Sequence, residues 1–392
     1  MNSRVINSLL ATIAAATATC VDAAEVSDRP SLIRALQGAK AGDVISIASG
    51  NYAGGISVSG ISGTEQAPVR LTAADPKNPP VIDGGASGLQ LSGCSYVEVS
   101  HLTFTNAEAN GLNVDDGTQG TGTKGIVLRD LTVIGRGSEG NRDGIKLSGL
   151  DNFKVERCRV EAWGSSGSGI DMVGCHDGLV KQCVFERDEA GYAKALMSNG
   201  VQMKGGSARV TVQRCRFVRS GGRGINLGGS TGAAYLRPAN TRAEAQDLVV
   251  EDCYFEGLMA PVAFVGVDGA IVRHNTIVSP GKWIIRILQE NRATGFAPSR
   301  NGSFTDNIVV YQSGSIGEAV NIGEGTEPAS FAFARNVWFS QDRPSASQRQ
   351  IRLPVPEENG THGTDPKVDA VTGRSSLSGL SAGIRPERSD EK

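Results

Sequence analysis

"RDGIKLSG", Arg142 to Gly149, is the stretch that opens the fold to reading, because three altered copies follow it: "SGIDMVG" from Ser168, "NGVQMKG" from Asn199 and "RGINLGG" from Arg223. The apolar residues stay in place. The residue between them changes from Lys146 to Asp171, Gln202 and Asn226. A second frame runs in phase with the first: "FKVERCRV" from Phe153, "GLVKQCVF" from Gly178, "VTVQRCRF" from Val210 and "LVVEDCYF" from Leu248. Aligned on its Cys, this frame passes through Leu102, Leu131, Cys158, Cys183, Cys215, Cys253, Asn275, Asn307 and Asn336, at intervals of 29, 27, 25, 32, 38, 22, 32 and 29 residues. Recurrence at this spacing, with insertions confined between frames, marks a solenoid.

Within each unit apolar and polar residues alternate, as in Val155, Arg157 or Val212, Arg214, and a period of two calls for strands. The 51 glycines and 5% aromatic content suit a turn-rich all-β chain. Short strands in such a repeat stack as a parallel β-helix, one coil ~4.8 Å above the last. Ile145, Ile170, Val201 and Ile225 then form one inward column, and Leu147, Met172, Met203 and Leu227 another. The Cys and Asn positions fall at a turn, where thiols pack as small hydrophobes and Asn side chains ladder. Four of the six cysteines beyond Cys20 therefore have a packing role, ahead of a disulfide or zinc role.

Ser27, Asp28 and Pro30, followed by Leu32, Ile33 and Leu36 at helical spacing, predict a short N-terminal capping helix. Arg4, the apolar run Leu9 to Ala18 and the small residues after it read as a secretory signal peptide ending near Ala23 or Ala24, so the protein is expected to be secreted or periplasmic. The organisation predicted is residues 1–24 signal peptide, 25–340 β-helix, and 341–392 an irregular C-terminal segment whose last dozen residues are disordered. No later stretch has the ~18 apolar residues of a membrane span. With 39 Lys+Arg against 41 Asp+Glu, the charge balance argues against a nucleic-acid partner. A monomer is expected.

The outward column is where chemistry can sit. It reads Asn113, Lys146, Asp171, Gln202, Asn226, Ala263 and Arg286, with Asp115, Ser148, Val173 and Lys204 two residues further along. At the lip of each strand stand Asn110, Asp143, Ser168, Asn199 and Arg223, each before a Gly that lets the chain bend. A flat face with polar groups at each coil fits an extended polymer of sugars. The inserts "GGSTGAAYLRPANTRAEAQ" (Gly228 to Gln246), carrying Tyr235, Arg237 and Glu244, and "ERDEAGYAKALMSNG", ending at Asn199 and Gly200, are expected to wall the groove. The bland alternative is a cross-strand Lys146–Asp171 ion pair and amide ladders.

A capping helix leading into "AGDVISIASGNY" and then stacked coils resembles the pectate-lyase-like superfamily over Ser27 to Asn336, which implies a right-handed, single-stranded parallel β-helix. The stretch "NGVQMKGGSARVTVQRCRFVRSGGRGINLGG" is similar to the Lys-bearing coil of alginate and chondroitin B lyases. That resemblance implies a base at Lys204, with Arg223 or Tyr235 as acid or charge stabiliser, on an acidic polysaccharide. Lys146, Asp143, Asp171, Asn199, Gln202, Asn226, Arg237 and Glu244 are then the candidate substrate contacts. Clustered cations would favour the neutral form of such a base. Those lyases carry acidic calcium ligands where this chain has Met197 and Asn199, so calcium has no clear ligand set. They place an Arg where this chain has Gly228. "NRDGIK" resembles the "NTDGI" stretch of polygalacturonase-type hydrolases, which would make Asp143 and Asp171 a carboxylate pair. A non-catalytic carbohydrate-binding solenoid is the third possibility.

Overall fold

A computed structural model describes residues 24–117, 123–137 and 139–387. Each coil lays down three short strands in turn, as in Lys154–Glu156, Arg159–Glu161 and Ser168–Val173. Stacking produces three parallel sheets. Sheet A runs from Ala24–Val26 to Ala332–Ala334, sheet B from Asn51–Ala53 to Thr361–His362, and sheet C from Ile56–Ser59 to Val320–Ile322. The molecule is an all-β parallel β-helix.

The inward columns form as the alternation predicts. Ile145, Ile170, Val201 and Ile225 are register partners on sheet C, as are Leu147, Met172, Met203 and Leu227, and all eight are fully buried. Burial of each such side chain is worth ~1.5–3 kcal/mol. Phe185, Phe217 and Phe255 stack inside sheet B with ring centroids 5.0 and 4.8 Å apart. The inward residues of sheet B explain the glycine after each lip residue: Val133 at Gly111, Val160 at Gly144 and the Phe rings at Gly169, Gly200 and Gly224. A Cβ on Gly200 would come within 2.6 Å of the Phe217 ring and 2.5 Å of Gly224 O. The glycines are there for close packing between coils, not for a bend.

The turn from sheet A to sheet B takes two residues. Its first is left-handed, with φ of 52° at Arg157, 55° at Gln182 and 56° at Asp306, and the second is the buried Cys or Asn. Burial pushes the thiols of Cys158, Cys183 and Cys215 well above their ordinary range. Where Asn replaces Cys the ladder is explicit. Asn275 Nδ2 donates to Asn307 Oδ1 at 3.0 Å and Asn307 Nδ2 to Asn336 Oδ1 at 3.1 Å. Asn336 Nδ2 then donates to Glu357 Oε1 at 2.7 Å.

The N-terminal end is closed by the helix Arg29–Gly38, capped by Asp28 in a reciprocal box with Ser31, with Leu32 and Leu36 against the first coils. At the other end Thr361–His362 adds to sheet B beside Val337–Ser340. The chain then returns along the coils. Arg385 Nη2 donates to Asp252 Oδ2 at 2.7 Å and to Glu251 Oε2 at 2.9 Å. Residues 385–387, within the last dozen for which disorder is expected, are placed against these coils, and 388–392 lie outside the described residues. The signal peptide assigned to residues 1–24 lies, apart from Ala24, outside the described residues. No helix among those described is long and apolar enough to cross a membrane.

Candidate active site

Sheet C presents the polar column to the outside in continuous register. Asn113 pairs with Lys146, Lys146 with Asp171, Asp171 with Gln202, and Gln202 with Asn226. Two residues along, Val173 pairs with Lys204. The sequence alternation that buries Ile145 and Leu147 necessarily turns Lys146 outward.

Asp171 is the hub. One of its oxygens is held by Lys146 Nζ and the other lies 3.4 Å from Lys204 Nζ. Its side chain is 5% exposed, against 24% and 22% for the two lysines. Oδ1 is buried without a well-directed hydrogen bond, so the Lys204 contact is ionic rather than a formed hydrogen bond. Lys204 Nζ also donates to Gln202 Oε1 at 3.3 Å. The charge in contact with Lys204 is thus a carboxylate, not the cluster of cations expected. The cross-strand pair weighed as the bland alternative does exist, and Lys204 joins it from the next coil.

Asp143 sits at the lip, 3.8 Å from Lys146 Nζ, and accepts from Ser168 N at 2.7 Å. Burial, then the neighbouring Asp171 charge, push its carboxyl up to about 6. Burial works against the Lys146 ammonium, but Asp171 and Asp143 outweigh it and hold that group above its usual range.

Other candidates lie elsewhere. Asn199 is buried at the lip and donates to Ser168 Oγ at 3.3 Å. Asn226 faces outward yet is fully buried, accepting from Arg223 Nη1 at 2.8 Å. Arg223 turns away from Lys204, its Nη2 donating to Glu290 Oε1 at 2.7 Å. Glu244 is fully buried and accepts from Gly205 N, Thr231 N, Thr231 Oγ1 and Asn291 Nδ2. It anchors the Gly228-to-Gln246 loop and is sealed from any substrate. Arg237 reaches across the strand ends, with N donating to Gly205 O at 2.8 Å and Nε to Asp116 Oδ2 at 2.9 Å. Tyr235 projects from the turn Ala233–Tyr235, 67% exposed. The opposite wall carries the helix Glu189–Lys194 and the exposed Met197.

Three residues passed over in the sequence, Gln90, Ser92 and Glu290, complete the surface together with Asp115. Asp115 gathers Gln90, Ser92 and Asn113 at 3.1 to 3.2 Å, and Glu290 bonds Arg223. Asp115 was visible as the second outward residue of its strand. Glu290 follows the last alternating residue, Leu288, and nothing in the pattern marks it. Among the described residues, hollows of about 580 Å³ beside Arg187 and about 730 Å³ beside His176 lie away from this face. The sheet C site is an open groove.

The family model described as "Right handed beta helix region" matches residues 77–241 and 136–309. The chain belongs to the right-handed β-helix family. Within that family's fold it is similar to two solved structures. One is an alginate lyase from Paenibacillus sp. str. FPU-7, at 16% identity and a TM-score of 0.52, covering 78% of this chain and 98% of that one. The other is the pectate lyase Pel9A, at 13% identity and a TM-score of 0.51, covering 80% of each chain. At such identities the likeness is one of fold. No curated protein matches the sequence. Among the described residues of this right-handed β-helix, no group of three or more His, Cys, Asp or Glu side chains is placed to hold a metal ion.

Proposed function

We propose that this right-handed β-helix protein cleaves an acidic, uronate-containing polysaccharide by β-elimination on the open face of sheet C. The observation that carries the reading is the convergence of Lys146, Asp171, Gln202 and Lys204 from three successive coils on one wet surface. The two solved structures sharing the fold at this level are named as polysaccharide lyases, and their chemistry is carried to this chain only as part of the proposal. An exported location follows from the N-terminal pattern.

In the proposed reaction Lys204 acts as the neutral amine, its ammonium proton released to solvent beforehand, and its Nζ takes the proton from the carbon beside a uronate carboxylate. The released electron pair forms a carbon–carbon double bond as the glycosidic carbon–oxygen bond breaks. Lys146 neutralises the charge that builds on the carboxylate. Asp171 holds both lysines in place. Tyr235, exposed on the Gly228-to-Gln246 loop, returns a proton to the leaving oxygen. Gln202, Asp143 and Arg237 border the sugar, and Arg223 offers its guanidinium at the groove's end. Asn199, Asn226 and Glu244 serve the scaffold.

A second reading has a specific observation behind it. A carboxyl raised to about 6 beside another carboxylate, as at Asp143 and Asp171, is the environment of a general acid in glycoside hydrolysis. One experiment separates the two. Alginate, polygalacturonate and chondroitin are incubated with the full chain, following both the ultraviolet absorbance of unsaturated uronate and new reducing ends. Elimination gives both signals and loses both in Lys204→Ala. Reducing ends without absorbance, lost in Asp143→Asn, would replace the lyase by a hydrolase.

A further inference from the structure

We infer that the groove on sheet C is closed one coil beyond Lys204 by an Arg223–Glu290 bridge, so that the protein trims short fragments from one end of its polymer instead of cutting internally. This rests on the lyase reading above.

The evidence is a change in burial along a column whose register does not change. Asn226 and Ala263 occupy outward positions in line with Gln202 and Arg286, and Val265 an outward position in line with Gly228 and Leu288. All three are nonetheless fully buried. Alternation turns them away from the core, so segments outside the sheet must cover them.

Arg223 supplies the first layer. From the lip of its strand it bonds Asn226 through Nη1 and Glu290 through Nη2. Glu290 lies just past the strand Ile285–Leu288, two coils on from Arg223–Gly228. The bridge therefore spans the coil of Ala260–Val265, where the small Ala263 leaves room for a guanidinium. Arg286 borders the far side, donating from Nε to Asn321 Oδ1 at 3.0 Å and packing 4.3 Å from the Trp283 ring centre. Burial, then the Arg223 charge, hold Arg286 below its usual range.

Glu244 supplies the second layer. Its four accepted hydrogen bonds join the start of the Gly228-to-Gln246 loop to Gly205 and to Asn291. Asn291 Nδ2 also donates to Thr231 O at 3.2 Å. Two loops are thereby stitched together over the same coils.

In the other direction the face stays open among the described residues. Lys146, Asn113 and Gln90 are partly exposed, and Ser57 is exposed. A chain lying over Lys204 can continue toward Asn113 and Gln90. Toward Arg223 it has about one coil spacing, ~4.8 Å, before the bridge, which is room for about one sugar ring.

The test follows products over time on whichever uronate polymer yields the ultraviolet signal, with viscosity recorded in parallel and early products sized by mass spectrometry. The expected result is rising absorbance with unsaturated mono- and disaccharides from the first samples, while viscosity falls only slowly. Glu290→Ala, at a half-exposed position, should shift the products toward longer oligosaccharides. An immediate viscosity drop with a ladder of intermediate sizes in the unaltered protein would overturn the closed end and leave the lyase reading standing. Products of unchanged length from a folded Glu290→Ala would overturn the bridge as the stop. Absence of the ultraviolet signal on every polymer would overturn both.

Discussion

Lys204 places its Nζ 3.4 Å from Oδ1 of Asp171, a carboxylate one coil away that is already held by a second lysine on its other side. Two cations thus share one buried anion on an otherwise open face. Removing the anion's charge should be felt by both. Asp171→Asn keeps the shape and is expected to lower the unfolding free energy by about 2 kcal/mol, the order of a charge-assisted hydrogen bond. Urea titration measures it, and unchanged stability would mean that the pair contributes nothing.

Asp143 gives the site a pH signature. Burial and the Asp171 charge raise its folded-state carboxyl to about 6 from its ordinary value of 3.8. In that interval the folded protein binds more protons than the unfolded chain, so stability falls as pH rises and levels off above about 6. The loss is bounded at about 3 kcal/mol. Asp143→Asn can still accept from Ser168 N and removes the titration. Denaturant midpoints taken from about pH 4 to about pH 7 should show the fall in the unaltered protein and its absence in the variant. Parallel curves would show that Asp143 titrates as an ordinary exposed carboxyl.

Glu244 predicts a loop phenotype. Glu244→Ala leaves Gly205 N, Thr231 N and Asn291 Nδ2 without their acceptor, at about 1–3 kcal/mol for each buried donor left unpaired. The Gly228-to-Gln246 loop should then open, and trypsin should cleave faster after Arg242. Cleavage at the unaltered rate would argue that the loop is held by other contacts.

Asn307 tests the ladder. Its Oδ1 accepts from Asn275 N and Nδ2, and its Nδ2 donates to Val272 O and Asn336 Oδ1. Asn307→Ala should cost about 3 kcal/mol by losing several buried hydrogen bonds at once. Cys158→Ala, in the same column five coils earlier, should cost less, since a thiol contributes mainly packing. Equal losses in thermal or urea unfolding would show that the amide ladder adds nothing beyond volume.

The columns were legible because a strand repeats every two residues and a coil brings equivalent positions into register. Ile145 facing in fixes Lys146 facing out, and the Cys-to-Asn frame marks a turn. What covers the sheet obeys no such period. Asn226 and Gln202 read alike, yet Asn226 is sealed by Arg223 and by loops whose contacts have no spacing to detect. Glu244 looked like a groove residue because it lies in a polar insert, and only the fold turns it inward onto Gly205 N. Glu290 carries no signal, standing past the last alternating residue of its strand. The glycine after each lip residue was visible, but its reason, the Val or Phe side chain and backbone of the next coil pressed against it, needed three dimensions.

The central claim is that proton removal from the uronate depends on Lys204. The most direct measurement compares initial rates of ultraviolet absorbance for the unaltered protein, Lys204→Ala and Asp143→Asn on the same uronate polymer. The account predicts a loss of about 10²–10⁴-fold for Lys204→Ala, the usual contribution of a positioned acid or base, and a much smaller change for Asp143→Asn. Full activity in Lys204→Ala would contradict it.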